Sequence, residues 1–352
     1  MITWLTSSAP ERITIDLTNQ CNLRCRYCCF FGNDVEKSGD DLSSADWIKF
    51  IEEAGSLGVM RIALRGGEVL IYPGFKEIVN SIIANRMRFS LQTNGALLTD
   101  GLAEFIAGTG RCDGVKLSID GPEEIHDAQR GKGAFAGAVQ ALELLKKHHI
   151  NVGCVMTVHK DNFPVFEACA EYLLDELEVP RLSFSLATAA SGTPPHLALG
   201  ADDFYDWVMR SRAVEQRYGK ERFGRGGAAP VLSFWRGLQA RSGRKPENVL
   251  YGHCAKMHTA LSVRHDGAIV PCQKMSGCVL GVAGRDKLAD VWNKSPELLK
   301  LRSFTEKPEY RKKCIDCPYR EWCSAGCPAH PDIMEDCGIG CLKEYLRRGG
   351  EL

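Results

Sequence analysis

Three cysteines near the start of the chain, Cys21, Cys25 and Cys28, stand at C-x3-C-x2-C spacing. Thiolates this close can hold three corners of a 4Fe–4S cube and leave the fourth iron open to a cofactor or substrate. A structural zinc ion would want a fourth protein ligand. Cys29 is adjacent, but its side chain tends to point away from that of Cys28. A second group lies in the last third of the chain: Cys254, Cys272 and Cys278, then Cys314-x2-Cys317-x5-Cys323-x3-Cys327, then Cys337 and Cys341. C-x2-C spacing alone does not separate iron–sulfur ligation from zinc held by Cys314, Cys317, Cys323 and Cys327. Sixteen cysteines in 352 residues could also mean a secreted disulfide scaffold, but such scaffolds are short and loop-rich. Most of this chain reads as regular structure without cysteine support, so an intracellular metalloprotein fits better. Cys112, Cys154 and Cys169 fall within that regular pattern and read as small buried apolar residues.

Composition narrows the partners. Lys plus Arg and Asp plus Glu are both 44, for a net charge of zero, which does not favour a nucleic-acid partner. No apolar run approaches the roughly 20 residues that span a bilayer, so no membrane span is expected. Met1 to Pro10 lacks a basic region followed by an apolar one, and export is not expected. A cytoplasmic location is expected from the oxygen sensitivity that exposed iron–sulfur clusters would have.

The elements that must position these thiols repeat as strand, loop, helix. Strands are expected at Arg12–Leu17, Val59–Leu64, Met87–Thr93, Gly114–Ile119, Asn151–Val158 and Arg181–Leu186, from alternation and β-branched content. Helices are expected from Ser43 or Ser44 to Leu57, and at Phe75–Ala84, Thr99–Ala107, Ala134–His148 and Phe163–Leu177, from apolar spacing and caps. Six such repeats imply a parallel sheet, either doubly wound or an incomplete barrel. The Cys21–Cys28 loop follows the first strand directly, at the C-terminal edge of that sheet, where ligand sites form.

In this setting the C-x3-C-x-aromatic-C motif resembles that of the radical S-adenosylmethionine (SAM) superfamily. Gly66-Gly67-Glu68 after the second strand resembles its GGE motif, which implies a contact between Glu68 and the SAM amino group. Thr93-Asn94-Gly95 ends the third strand, where the family approaches the SAM ribose. Ser118-Ile119-Asp120-Gly121 ends the fourth, with Ser118 and Asp120 as further cofactor-binding positions. The resemblance implies that Arg130 pairs with the SAM carboxylate and that Tyr27 packs near the adenine. It implies an α/β fold, an incomplete (β/α)6 TIM-like barrel. It also implies reductive cleavage of SAM to methionine and a 5′-deoxyadenosyl radical, with an external reductant such as flavodoxin or ferredoxin.

The C-terminal cysteines, with Gly267 separated from Cys272 by four residues, resemble the SPASM iron–sulfur domain. So does the stretch from Leu280-Gly281 to Val291-Trp292. By that resemblance Cys254, Cys272 and Cys327 hold one auxiliary 4Fe–4S cluster, with Cys278 a candidate fourth ligand. Cys314, Cys317, Cys323 and a last cysteine hold a second; Cys341 is favoured and Cys337 is the alternative. The expected organisation is a barrel core over residues 11–190, a bridging segment over 191–250 and the auxiliary-cluster domain over 251–347.

Enzymes similar to this mostly modify peptides or proteins, through crosslinks or related maturation; some act as dehydrogenases of small molecules. Sulfatase maturases carry an Asp base just after the cysteine matching Cys272. Here that residue is Gln273, which cannot take a proton in the same way. No leader-binding winged helix precedes Glu11, so a separate leader-binding protein is an expected partner. The stretch Arg210 to Lys245 holds ten Lys/Arg and two acidic residues. It reads as a solvated face, or else as a docking surface for an acidic peptide.

Overall fold

In a computed structural model of the chain, the residues described are 6–28, 41–188, 192–223 and 256–306. Six strands come first: β1 (Arg12–Asp16), β2 (Arg61–Arg65), β3 (Arg88–Thr93), β4 (Cys112–Ser118), β5 (Val152–Val158) and β6 (Leu182–Leu186). Each pairs in parallel with the next in sequence. Every crossover therefore steps the same way, whereas a doubly wound sheet must reverse once. Right-handed crossovers then put the connecting helices on one face, and the sheet stays open. This is the incomplete barrel.

The helices are α1 (Ser44–Leu57), α2 (Phe75–Ala84), α3 (Asp100–Gly108), α4 (Glu123–Arg130), α5 (Ala134–Lys147), α6 (Phe166–Glu171) and α7 (Ala201–Tyr218). Ser43 caps α1 by accepting from the Asp46 N–H, and Gly58 closes it at φ 96°. That left-handed conformation suits glycine at a helix end. Strand alternation sorts the two faces. Ile13, Ile15, Ile62, Leu64, Phe89, Leu91, Val115 and Leu117 are at most 2% exposed and join one core with the helices. Thr14, Ala63, Ser90, Gly153 and Ser183 alternate with them, so the inner face is lined by small or polar groups.

Three features depart from the sequence expectation. Glu123–Arg130 is a helix where none was expected, begun after Pro122 and ended at Gly131 with φ 112°. The fifth expected helix is broken: a 3-10 turn at Phe163–Val165 leads into α6, and a π turn occupies Tyr172–Glu176. The cysteine-rich region also extends the barrel sheet. After α8 (Lys256–Thr259), β7 (Ala260–Val263) pairs in parallel with β1. The antiparallel strands β8 (Ala268–Val270) and β9 (Gly281–Val282) follow. Helices α9 (Leu288–Lys294) and α10 (Pro296–Glu306) complete this part. The buried Arg302 lies over the Trp292 ring at 4.2 Å and donates to the carbonyls of Trp292 and Met257.

Several cations of the basic stretch have partners within the chain where it is described. Arg210 pairs with Glu167 and lies over Phe163 and Phe166, and Arg217 pairs with Glu171. Arg222 donates to the carbonyls of Leu174 and Val179, both at 3.1 Å. These cations hold α7 and its extension to the barrel, while Arg217 and Lys220 stay exposed to solvent. Residues 224–245 of the stretch lie outside the described residues.

Leu261 of β7 is 1% exposed, sits opposite Ile13 and shares its core. Leu261→Ala is expected to cost about 2–5 kcal/mol in one cooperative urea transition. A separate early transition confined to the C-terminal part would contradict a shared core.

Candidate active site

The loop from Leu17 to Cys28 carries the three thiols, and the fold clamps it from two sides. On one side the end of β2 docks on its backbone. Gly67 N–H donates to the Thr18 carbonyl and Glu68 N–H to the Gln20 carbonyl, both at 2.8 Å. A Cβ on Gly67 would lie 2.1 Å from the Gln20 oxygen, and one on Gly66 2.5 Å from the Thr18 oxygen. Both are far inside van der Waals contact, and Gly66 has φ 147°. The two glycines are thus required by the cysteine loop itself, a role beyond the ligand approach expected from the motif.

Glu68 is 1% exposed. It accepts from the Thr93 hydroxyl at 2.6 Å, the Asn94 N–H at 2.8 Å and the Leu70 N–H at 3.1 Å. Burial raises its pKa, against those hydrogen bonds. A carboxylate accepts about four hydrogen bonds, so capacity for one further donor remains. Asn94 reaches the loop as well, giving its amide to Asn22 at 2.9 Å and lying 3.9 Å from the Cys21 sulfur. Asp41 accepts from the Thr18 hydroxyl and the Asn19 N–H and lies 3.1 Å from His265 Nδ1, and the neighbouring Leu42 N–H donates to the His265 carbonyl at 2.8 Å. A residue between β7 and β8 therefore bears on the loop's first turn.

On the other side stands Asp120, which is wholly buried. Its carboxylate takes the Tyr27 hydroxyl at 2.6 Å, Arg130 Nε at 2.6 Å, Arg130 Nη2 at 3.2 Å and the Thr157 N–H at 2.8 Å. Burial works to raise the Asp120 pKa, but the Arg130 charge and these hydrogen bonds hold it below the ordinary value. The Arg130 guanidinium also lies 5.4 Å from the Tyr27 ring centre, and His159 stacks on that ring at 5.2 Å. The Arg26 N–H donates to the Gln129 carbonyl at 2.9 Å. The loop is thereby tied to α4, β4 and β5 together.

Between these clamps lies a cavity of about 220 Å³ lined by Cys21, Cys25, Cys28, Glu68, Asn94 and Arg130. Tyr27, Gly66, Gly67, Thr93 and Ser118 also reach it. The sequence-predicted residues converge here with one correction: Asp120 is not in the wall. Its oxygens are consumed by Tyr27, Arg130 and Thr157, so it positions the groups that face the cavity. Arg130 likewise spends Nε and Nη2 on Asp120. The polar wall residues Arg65, Gln92, Thr157, Ser185 and Thr193 were missed. The first, second and fourth sit two residues above inner-face positions, a period the strands themselves display.

The three thiols fit a cluster better than a single ion. Among the described residues no group of three His, Cys, Asp or Glu is placed to hold one metal ion. The thiols still share one cavity and act on one another electrostatically. A cube asks each cysteine for its own iron. Burial pushes the Cys25 thiol up to about 12 and raises Cys21, so the charge of a bound metal group is what would make them thiolates. Cys154 and Cys169 are buried in the core, as expected. Cys272 is buried and Cys278 partly so. Cys254, Cys314, Cys317, Cys323, Cys327, Cys337 and Cys341 lie outside the described residues.

The chain resembles known proteins in sequence and in fold. Residues 15–173 match the radical SAM superfamily and residues 254–318 match SPASM, described as an iron–sulfur cluster-binding domain. The chain is 28% identical over 338 residues to the sporulation killing factor maturation protein SkfB of Bacillus subtilis, covering 92% of this chain and 75% of SkfB. It is 27% identical over 331 residues to the mycofactocin maturase MftC of Mycobacterium ulcerans, covering 91% and 84%. The crystal structure of Streptococcus suis SuiB bound to precursor peptide SuiA shares the fold, with TM-score 0.73 and 18% identity over 92% of this chain and 72% of SuiB.

Two outcomes follow from the Asp120 side. Asp120→Asn leaves the buried Arg130 cation without its counter-charge and is expected to cost about 3–5 kcal/mol in urea unfolding; a loss under about 1 kcal/mol would contradict the clamp. The second concerns His126, whose Nδ1 accepts the Asp120 N–H at 3.2 Å, a role only the neutral ring can play. Burial, aided by Arg130, lowers it from 6.5 to about 4. The unfolded chain therefore takes up this proton first, and stability falls as pH drops from 6.5 toward 4. His126→Gln is expected to flatten that slope in urea midpoints of the apoprotein; an unchanged slope would contradict it.

Proposed function

Because this chain belongs to the radical SAM superfamily and carries a SPASM domain, we propose that it cleaves SAM reductively and oxidatively modifies a peptide or protein. The observation that carries the proposal is the convergence of Cys21, Cys25 and Cys28 with Glu68, Asn94 and Arg130 on one cavity. When bound, a 4Fe–4S cluster supplies the electron that breaks the SAM sulfonium bond, giving methionine and a 5′-deoxyadenosyl radical.

The chain's own residues do the rest. Cys21, Cys25 and Cys28 hold the cluster. Glu68 offers its remaining acceptor capacity to the SAM ammonium. Arg130, kept in place by Asp120, presents Nη1 to the SAM carboxylate, a charge-assisted contact. Tyr27, fixed through its hydroxyl and the His159 ring, packs at the adenine, and Ser118 serves the ribose. We assign Cys272 and Cys278, with the cysteines outside the described residues, to auxiliary clusters. The peptide class is supported by the maturation proteins SkfB and MftC, whose likeness runs along most of this chain. A flavodoxin- or ferredoxin-type reductant and a separate leader-binding protein complete the system, and the oxygen sensitivity of exposed clusters fits an anaerobic cytoplasm. No helix among the described residues is long and apolar enough to cross a membrane.

The test is anaerobic reconstitution, reduction with dithionite, and chromatography of the nucleoside product. Parent protein is expected to form 5′-deoxyadenosine and methionine from SAM, and Cys25→Ala to form none. Equal product from both proteins, or none from the parent, would overturn the reading.

A further inference from the structure

The inner wall of the barrel carries one row of polar side chains in register. Asp16 stands opposite Arg65, the Leu64–Leu91 pairing sets Arg65 beside Gln92, and Gln92 stands opposite Lys116. Adjacent strands are about 4.7–4.9 Å apart, so Arg65, Gln92 and Lys116 are successive steps across the wall. Arg65 and Gln92 line the cavity, as does Ser118, one pleat above Lys116 on the same face. Gln92 and Lys116 are both exposed to solvent. Ordinary barrels fill these layers with Val, Ile and Leu.

Charge and hydrogen bonding along the row do not balance among the described residues. Arg65 binds Asp16 at 2.7 Å and gives Nη1 to the Gln273 side-chain oxygen at 2.9 Å. That arrangement leaves Gln273 Nε2 buried with no partner among the described residues. Lys116 has no ion pair to a described carboxylate. Although the side chain reaches solvent, crowding by the surrounding wall partly desolvates the ammonium and lowers its pKa, and the cations Arg12, Lys256 and Arg65 lower it further. A buried unpaired donor costs about 1–3 kcal/mol, and Lys116, two strands along the same row from Arg65, is a cation without a described carboxylate. One planar anion could satisfy both.

We propose that Arg65, Gln92, Lys116 and Gln273 form a carboxylate-binding site in the barrel wall that takes an acidic group of the substrate. The proposal rests on the reading that this cavity receives a peptide. It also gives Gln273 a purpose: with no proton to exchange at this position, the amide donates through Nε2 and holds Arg65 through its oxygen. The carboxylate could belong to an Asp or Glu side chain or to a chain terminus, and both offer the same two oxygens.

The test uses reconstituted full-length protein saturated with SAM, so that the SAM carboxylate is already accommodated. Saturation-transfer NMR compares three probes: acetyl-Ala-Glu-Ala-amide, its Gln counterpart, and acetyl-Ala-Ala-Ala with a free C-terminus. Charge-assisted contacts predict that one of the two acidic probes binds about tenfold tighter than the Gln peptide, and which one it is names the source. Lys116→Met, a change at a solvent-exposed side chain, is expected to abolish most of that discrimination, and Gln273→Leu to reduce it. Equal binding of acid and amide probes, binding of none, or full discrimination in Lys116→Met would overturn the site. SAM cleavage is read on the same parent preparation. Cleavage without discrimination removes only the carboxylate site; discrimination without cleavage removes only the radical reading.

Discussion

The site depends on one buried carboxylate. Asp120 sits at the end of β4 with no exposed surface, and a bare charge there would be very costly. The cost is offset by partners from three other elements: Tyr27 from the cysteine loop, Arg130 from α4 and the Thr157 amide from β5. Each of those groups is fixed in turn by the same carboxylate. A buried, hydrogen-bonded ion pair of this kind contributes little net stability over an apolar substitute, yet its one-sided loss is severe. Its value lies in fixing positions: the aromatic ring and the guanidinium that face the cavity cannot shift independently.

The opposite clamp is built first on backbone bonds. Two glycines let the end of β2 approach the loop backbone closely enough for the Gly67 and Glu68 amides to bond it. Asp41 then ties the loop's first turn to His265, which lies between strands that extend the barrel sheet. The region matching the SPASM domain therefore shares the first strand's ladder, and its order and that of the thiol loop are mechanically linked. This gives a physical route by which binding in the C-terminal part would bear on the N-terminal site.

Much of this was legible in the residues. The three-thiol spacing is local, and strands of alternating apolar residues ended within two or three residues of where they were expected. The misses have physical causes. Helix α4, Glu-Glu-Ile-His-Asp-Ala-Gln-Arg, has a single large apolar residue, so no apolar period announces it. Its purpose is to deliver Arg130 and His126 to Asp120. Strands β7 to β9 are only four, three and two residues long, too short for alternation to register. Asp120 read as a ligand-facing residue because strand ends usually supply such groups; only its hydrogen bonds reveal that it faces inward. The pairing of Arg210 and Arg217 was not legible in the charge run, because their acidic partners are over forty residues away in sequence.

The central claim is that the Cys21–Cys28 loop holds a cluster with one iron left open to SAM, framed by Glu68 and Arg130. Electron–nuclear double resonance on the reduced, reconstituted protein with SAM isotopically labelled at its amino nitrogen and carboxylate oxygen tests it most directly. The account predicts hyperfine coupling from both labels to the cluster signal, lost in Cys25→Ala. A cluster signal that is indifferent to labelled SAM would contradict it.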